Sequence, residues 1–227
     1  MKKLLLFPAL LFAVAVFGQY TESRYRWGIS ANIHQANIKN IHWYSKGRLA
    51  PSIGFFGILP FKGQEGAADT GRPGGMFFVP QLEFSWDGEN NKWDSGKQTY
   101  RVNFIEMPLN FRYYFKVNKS AENNDFFIQA GPQLGYAVYD KAEGPSDAAT
   151  LDNKERINYV PHHEAEFKKF NFGLTAGAGY RFDDNWDISA RYDHGLTKAY
   201  ETNPSVGGNK TYHYKLGLAL SYSFNNK

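Results

Sequence analysis

From Tyr212 to Phe224 every second residue is large and apolar: Tyr212, Tyr214, Leu216, Leu218, Leu220, Tyr222 and Phe224. The residues between them are small or polar: His213, Lys215, Gly217, Ala219, Ser221 and Ser223. Period-two alternation gives a β-strand one greasy face. That face is ordered along its length, with rings at both ends and leucines between. An aqueous core sets no such order. A bilayer does, because rings favour its two interfaces and aliphatic side chains the hydrocarbon between.

Seven further segments read as strands: Tyr25–His34, Pro51–Phe61, Met76–Asp87, Tyr100–Phe115, Phe126–Tyr139, Phe170–Phe182 and Trp186–Leu196. Their lengths suit tilted membrane-crossing strands of about 9–11 residues. Outward faces are expected at Trp27, Ile29, Ala31 and Ile33, at Phe78, Leu82, Phe84 and Trp86, at Phe170, Leu174 and Tyr180, and at Trp186, Ile188 and Tyr192. Phe55-Phe56 and Phe126-Phe127 put a ring on each face. In the fourth segment Tyr100, Val102 and Phe104 share one parity while Met107 to Phe115 follow the other. A one-residue bulge near Ile105 is expected to restore the phase.

Met1–Gly18 reads as a secretory signal peptide: Lys2 and Lys3, an apolar run from Leu4 to Phe17, then a small-residue cleavage site. The run is shorter than the roughly 20 residues of a spanning helix. The mature chain, 19–227, is then one domain, and its formal charge falls from +4 to +2 with Lys2 and Lys3 gone. That balance gives no nucleic-acid footprint. No cysteine occurs, so neither a disulfide nor a lipid-modified cysteine can form. Aromatic residues reach 17%, heavy for a secreted domain without disulfides. The fold class is therefore all-β, an eight-stranded antiparallel up-and-down transmembrane β-barrel. An even strand number puts both termini on the periplasmic side, with shorter turns there and longer outer loops. A ten-strand barrel would need a hairpin around 158–160, where Pro161 and neighbouring charges resist lipid.

An eight-stranded barrel fills its interior with side chains. Inward candidates are Glu83, Arg101, Glu106, Asn110, Arg112, Arg181, Asp187, Arg191, Asp193 and Lys215, with His213 beside Lys215. They form either a buried polar network or a narrow conduit, for which Glu106 and Arg112 are the candidate constriction residues. Catalysis is not expected. Adjacent strand residues Asp193 and His194 point to opposite faces, and no nearby serine offers a nucleophile. His162, His163, Glu164 and Glu166 read as a solvated loop, since a metal needs three or more converging ligands. No cofactor is expected. Trp43, Tyr44 and Trp93 mark either an adhesive outer surface or an extended aromatic girdle.

The segment Phe104-Ile-Glu-Met-Pro-Leu-Asn-Phe-Arg-Tyr-Tyr-Phe115 resembles a strand of the outer-membrane β-barrel domain common in Bacteroidota, often called the porin family. Ala130-Gly-Pro-Gln-Leu-Gly-Tyr136 is similar to its next strand, and Ala176–Phe182 with Asp187–Thr197 to its closing hairpin. Lys215, Gly217, Leu220 and Tyr222 resemble the signal read by the barrel-assembly machinery, although three residues follow Phe224. The resemblance implies a barrel in the bacterial outer membrane. The expected function is structural or interactive, with outer loops contacting ligands or partners. The alternatives are a small channel for ions or solutes, and an accessory barrel of a secretion or gliding apparatus. Expected partners are outer-membrane lipids, lipopolysaccharide, the assembly machinery and an envelope protein yet to be found.

Overall fold

The computed structural model describes residues 25–39, 45–61, 75–93, 96–116, 125–143, 167–183, 185–200 and 210–224. The signal segment, Trp43, Tyr44, the candidate extra hairpin and the His162–Glu166 cluster lie outside them, as do the side-chain surroundings of Trp93. The described strands are β1 (Arg26–Lys39), β2 (Ser45–Pro60), β3 (Gly75–Trp93), β4 (Gly96–Lys116), β5 (Asp125–Glu143), β6 (Phe170–Arg181), β7 (Trp186–Gly195) and β8 (Tyr212–Phe224). Each pairs antiparallel with the next, and β8 returns to β1 from Trp27↔Phe224 to Lys39↔Tyr212. The sheet is a closed eight-stranded barrel. Closure leaves no lipid-exposed sheet edge within the membrane, which a chain without water to satisfy its amides requires.

The alternation sorts the side chains. Ile29, Ile33, Ile53, Leu82, Ile128, Leu174, Leu216, Leu218 and Leu220 face outward, while the interleaved residues of the same strands are mostly buried. Outward rings crowd the end that carries both termini: Trp27, Phe61, Phe115, Phe126, Phe182 and Phe224. Trp186 packs against Tyr222, centroids 4.8 Å apart, and Tyr222 against Phe224 at 5.4 Å. The β6–β7 turn closes at this end, where Phe182 N donates to Trp186 O at 3.2 Å. Asn185 ties the turn to β8 by donating through Nδ2 to Ser223 O at 2.6 Å. The start of β1 and the end of β8 both lie here, and an even-stranded barrel keeps them on the periplasmic side.

Two sequence expectations are corrected. β4 keeps one parity from end to end, and its register with β3 is unbroken from Gly75↔Tyr114 to Trp93↔Gly96. Tyr100, Val102 and Phe104 point inward, where Val102 and Phe104 pack with Ile38, Phe167 and Tyr200. Arg101, expected inside, therefore faces outward. Its side chain is 48% exposed and bonds Glu143 at 3.0 Å. The irregularity lies across the ladder on β5: Asn103 pairs with Tyr139 but Phe104 with Ala137, so Val138 is the extra residue. The second correction is length. Gln35–Lys39 and Gly88–Trp93, expected in outer loops, continue β1 and β3. A ladder needs no greasy face once it has left the membrane, so the polar stretch hid it.

The barrel is consequently lopsided. β4 has 21 residues and β7 has 10, roughly 70 and 33 Å at ~3.3 Å per residue. β7 barely crosses, while β3, β4 and β5 rise beyond the outer surface. Gly88 sits where this tall wall leaves the barrel. Its φ is +135°, and an added Cβ would lie 1.9 Å from Tyr100 O. Gly88→Ala is expected to destabilise the barrel by about 1–3 kcal/mol. Urea unfolding in liposomes checks this, and an unchanged midpoint would refute it.

Candidate functional site

The interior is built in layers. Towards the periplasmic end Phe56, Ile58, Phe77, Val79, Tyr114 and Phe127 of β2–β5 form an apolar cluster. Above it one carboxylate serves two guanidiniums. Arg181 Nε donates to Asp187 Oδ1 at 2.6 Å, and Arg112 Nη1 donates to Asp187 Oδ2 at 2.9 Å. Arg112 also donates to Gln129 Oε1 at 2.9 Å and lies over the Phe127 ring, 4.2 Å from its centroid. Both arginines donate to Tyr114 Oη at 2.9 Å. Arg181 and Asp187 are cross-strand partners on β6 and β7, so alternation alone aims them at each other.

The next layer centres on Glu83 of β3. Arg191, across the barrel on β7, donates from Nη1 at 2.8 Å and from Nη2 at 2.9 Å. Asn32 and Gln81 donate at 3.0 and 2.8 Å, and Ser52 Oγ also donates. The fork of Arg191 is the two-pronged geometry that makes a carboxylate pair strong.

Lys215 of β8 organises the layer above. Its ammonium donates to Glu106 Oε2 and lies 3.5 Å from Asp87 Oδ2 and 3.7 Å from Asp193 Oδ2. Asp193 also meets Arg191 at 3.1 Å, which joins this layer to the one below. Gln133 Nε2 donates to Glu106 Oε1 at 2.8 Å. Asp87 is reached by Ser85 Oγ and by His34 Nε2 at 2.6 Å. A carboxylate only accepts, so His34 carries its hydrogen on Nε2. His213 stacks on Phe104, centroids 5.3 Å apart, under the outer apolar cluster of Ile38, Val102, Phe104, Ala137, Phe167, Ala199 and Tyr200.

Of the candidate residues, Glu83, Glu106, Asn110, Arg112, Arg181, Asp187, Arg191, Asp193 and Lys215 all lie inside, and Arg101 alone does not. Glu106 meets Lys215, whereas Arg112 sits in the lower layer with Asp187, so those two do not make one constriction. Asn110 is buried, with no side-chain hydrogen bond among the described residues. Asp87 and His34 were missed. Both end a predicted strand, and extending the inward parity one step would have found their role.

Lys215 is flanked by two cavities of about 10 Å³ each, one beside Gln133 and His213, the other beside Asn32 and His34. Each has room for about one water. His194 and Asp193 point to opposite faces: Asp193 is buried, while His194 stacks on Tyr192 and Tyr212 outside. Thr197 Oγ1 accepts from Phe172 N at 3.1 Å. No group of three or more His, Asp or Glu poised for a metal occurs among the described residues.

A closed antiparallel barrel of eight strands, apolar outside and ionic within, defines an integral protein of the bacterial outer membrane. The sequence profile of the outer membrane protein beta-barrel domain matches residues 17–201, and the chain belongs to that family. No curated protein matches the chain. Similar solved structures include Neisserial surface protein A, at 12% identity and TM-score 0.44, covering 87% of this chain and 97% of that one. OprG from Pseudomonas aeruginosa is 13% identical with TM-score 0.44, covering 89% and 95%. The outer membrane enzyme PagL is 13% identical with TM-score 0.42, covering 86% and 97%.

Proposed function

We propose that this protein is a non-conducting, non-enzymatic barrel with a structural and interactive role in the outer membrane. One observation carries the reading: among the described residues the charged interior is closely ion-paired between an apolar cluster towards each end, and the cavities beside Lys215 have room for about one water each. Opening a passage would separate Glu83 from Arg191 and Lys215 from Glu106 in a dry interior, which is costly. The tall β3–β5 wall, rising past the membrane, supports an outward-facing contact role. The outward placement of His194 argues against a catalytic pair with Asp193. The Phe104–Phe115 and Ala176–Thr197 motifs support a place among the Bacteroidota members. The last strand suits recognition by the barrel-assembly machinery, after signal cleavage near Gly18.

The test is conductance of the purified barrel in a planar bilayer. A silent bilayer is expected, with folding intact by heat modifiability, and Glu106→Gln or Arg112→Gln should leave it silent. Unitary steps that either variant re-scales would replace this reading by the channel.

A further inference from the structure

The short side of the barrel, β6, β7, β8 and β1, is tiered on its outer surface. At the rim, Lys168 N donates to Ala199 O at 2.8 Å and Ala199 N donates to Thr211 O at 2.9 Å. Tyr212 in turn pairs with Lys39. This ladder sets Lys168, Lys169, Lys198, Lys210 and Lys39 in one arc along the rim, and Lys39, Lys169, Lys198 and Lys210 are exposed. The stretches 37–39, 167–170, 196–200 and 210–214 contain no Asp or Glu. The tall wall differs, for there Arg101 and Lys141 share Glu143.

Under the arc lies a tier of rings. Tyr192 and His194 stack with centroids 6.1 Å apart and planes 25° apart, and His194 and Tyr212 at 6.2 Å and 27°. Tyr192 Oη lies 3.2 Å from His194 Nδ1, which holds the two rings in register. Tyr214 flanks Tyr192 at 6.5 Å. Together they make an aromatic band with polar edges. Leu174 and Leu216 lie beside it as the register partners of His194 and Tyr192, with Leu218 one step further from the rim, each at least half exposed. Lysines line the rim, and rings and leucines share the band beneath.

We propose that this wall is a binding site for a phosphorylated glycolipid of the outer leaflet. Its phosphates lie on Lys39, Lys169 and Lys198, its sugar rings on the Tyr192–His194–Tyr212 surface, and its acyl chains along Leu174, Leu216 and Leu218. Lysines, rings and leucines gathered on one wall match the three chemistries of one ligand. A phospholipid satisfies the lysines and leucines and leaves the rings unused. The inference rests on the orientation used for the proposed function, with this rim at the outer leaflet.

Native mass spectrometry of the detergent-solubilised barrel tests it, with bisphosphorylated lipid A and phosphatidylglycerol as competing probes. Lipid A should be retained in preference. Lys39→Gln with Lys198→Gln should weaken it about tenfold, since each basic group near an anionic surface adds to binding. Tyr192→Leu with His194→Leu should weaken lipid A and leave phosphatidylglycerol unchanged. All these positions face outward, so heat modifiability should persist. Equal retention of the two lipids, or unchanged lipid A binding in the lysine variant, would overturn the site. Conductance reports only on the interior, so a channel that still holds lipid A would overturn the function proposed above and not this site.

Discussion

Lys215→Met is expected to cost the folded barrel about 3–5 kcal/mol, the range for stripping one partner from a buried ion cluster. Methionine approximates the lysine stem and can fill much of its space, so the loss reports on charge more than on packing. Lys215 is 2% exposed and is the ammonium shared by Asp87, Glu106 and Asp193. Without it, Glu106 keeps only the neutral donor Gln133, and Asp193 keeps Arg191. Three carboxylates from β3, β4 and β7 then lie together with less compensation. Urea unfolding in liposomes measures the loss. Adding Glu106→Gln should recover part of it, because the most dependent carboxylate is then neutral. A loss under 1 kcal/mol, or no recovery in the double variant, would mean that the cluster is far wetter than its burial implies.

The same layer shows where sequence reasoning stops. Alternation in β6, β7 and β8 is enough to place Arg181, Asp187, Arg191 and Lys215 inside, because parity alone chooses the face. It cannot say that Arg191 meets Glu83, 108 positions away, or that Lys215 meets Glu106, 109 away. Those pairings depend on strand stagger and on closure across the barrel, which no local pattern carries. Arg101 failed for another reason. Its neighbours Tyr100, Val102 and Phe104 are apolar enough to suit lipid, yet all three are buried inside, Val102 and Phe104 in the outer apolar cluster. An apolar residue marks burial, and a barrel buries side chains on both faces. The upward extension of β1, β3 and β4 was hidden likewise, since strands standing in water lose the greasy alternation that identifies them.

Asp187→Asn is the lower-layer counterpart and is expected to cost about 3–5 kcal/mol. The substitution keeps the shape of the side chain and removes its charge. Arg181 and Arg112 are 1% and 6% exposed, and Asp187 is the carboxylate both of them bond. An asparagine offers one oxygen where the carboxylate offers two, and its amide hydrogens would face donors. At least one guanidinium then loses an acceptor in a place with little water. Arg112→Met should cost less, because Asp187 would retain Arg181 through Nε and Nη2 at 2.6 and 3.1 Å. The order of the two variants is therefore the sharper measurement. If Arg112→Met proves the more damaging, the stacking of Arg112 on Phe127 and its bond to Gln129 outweigh the shared carboxylate. The layer would then be held by its aromatic floor, with Asp187 serving mainly to orient Arg181 across the β6–β7 pair.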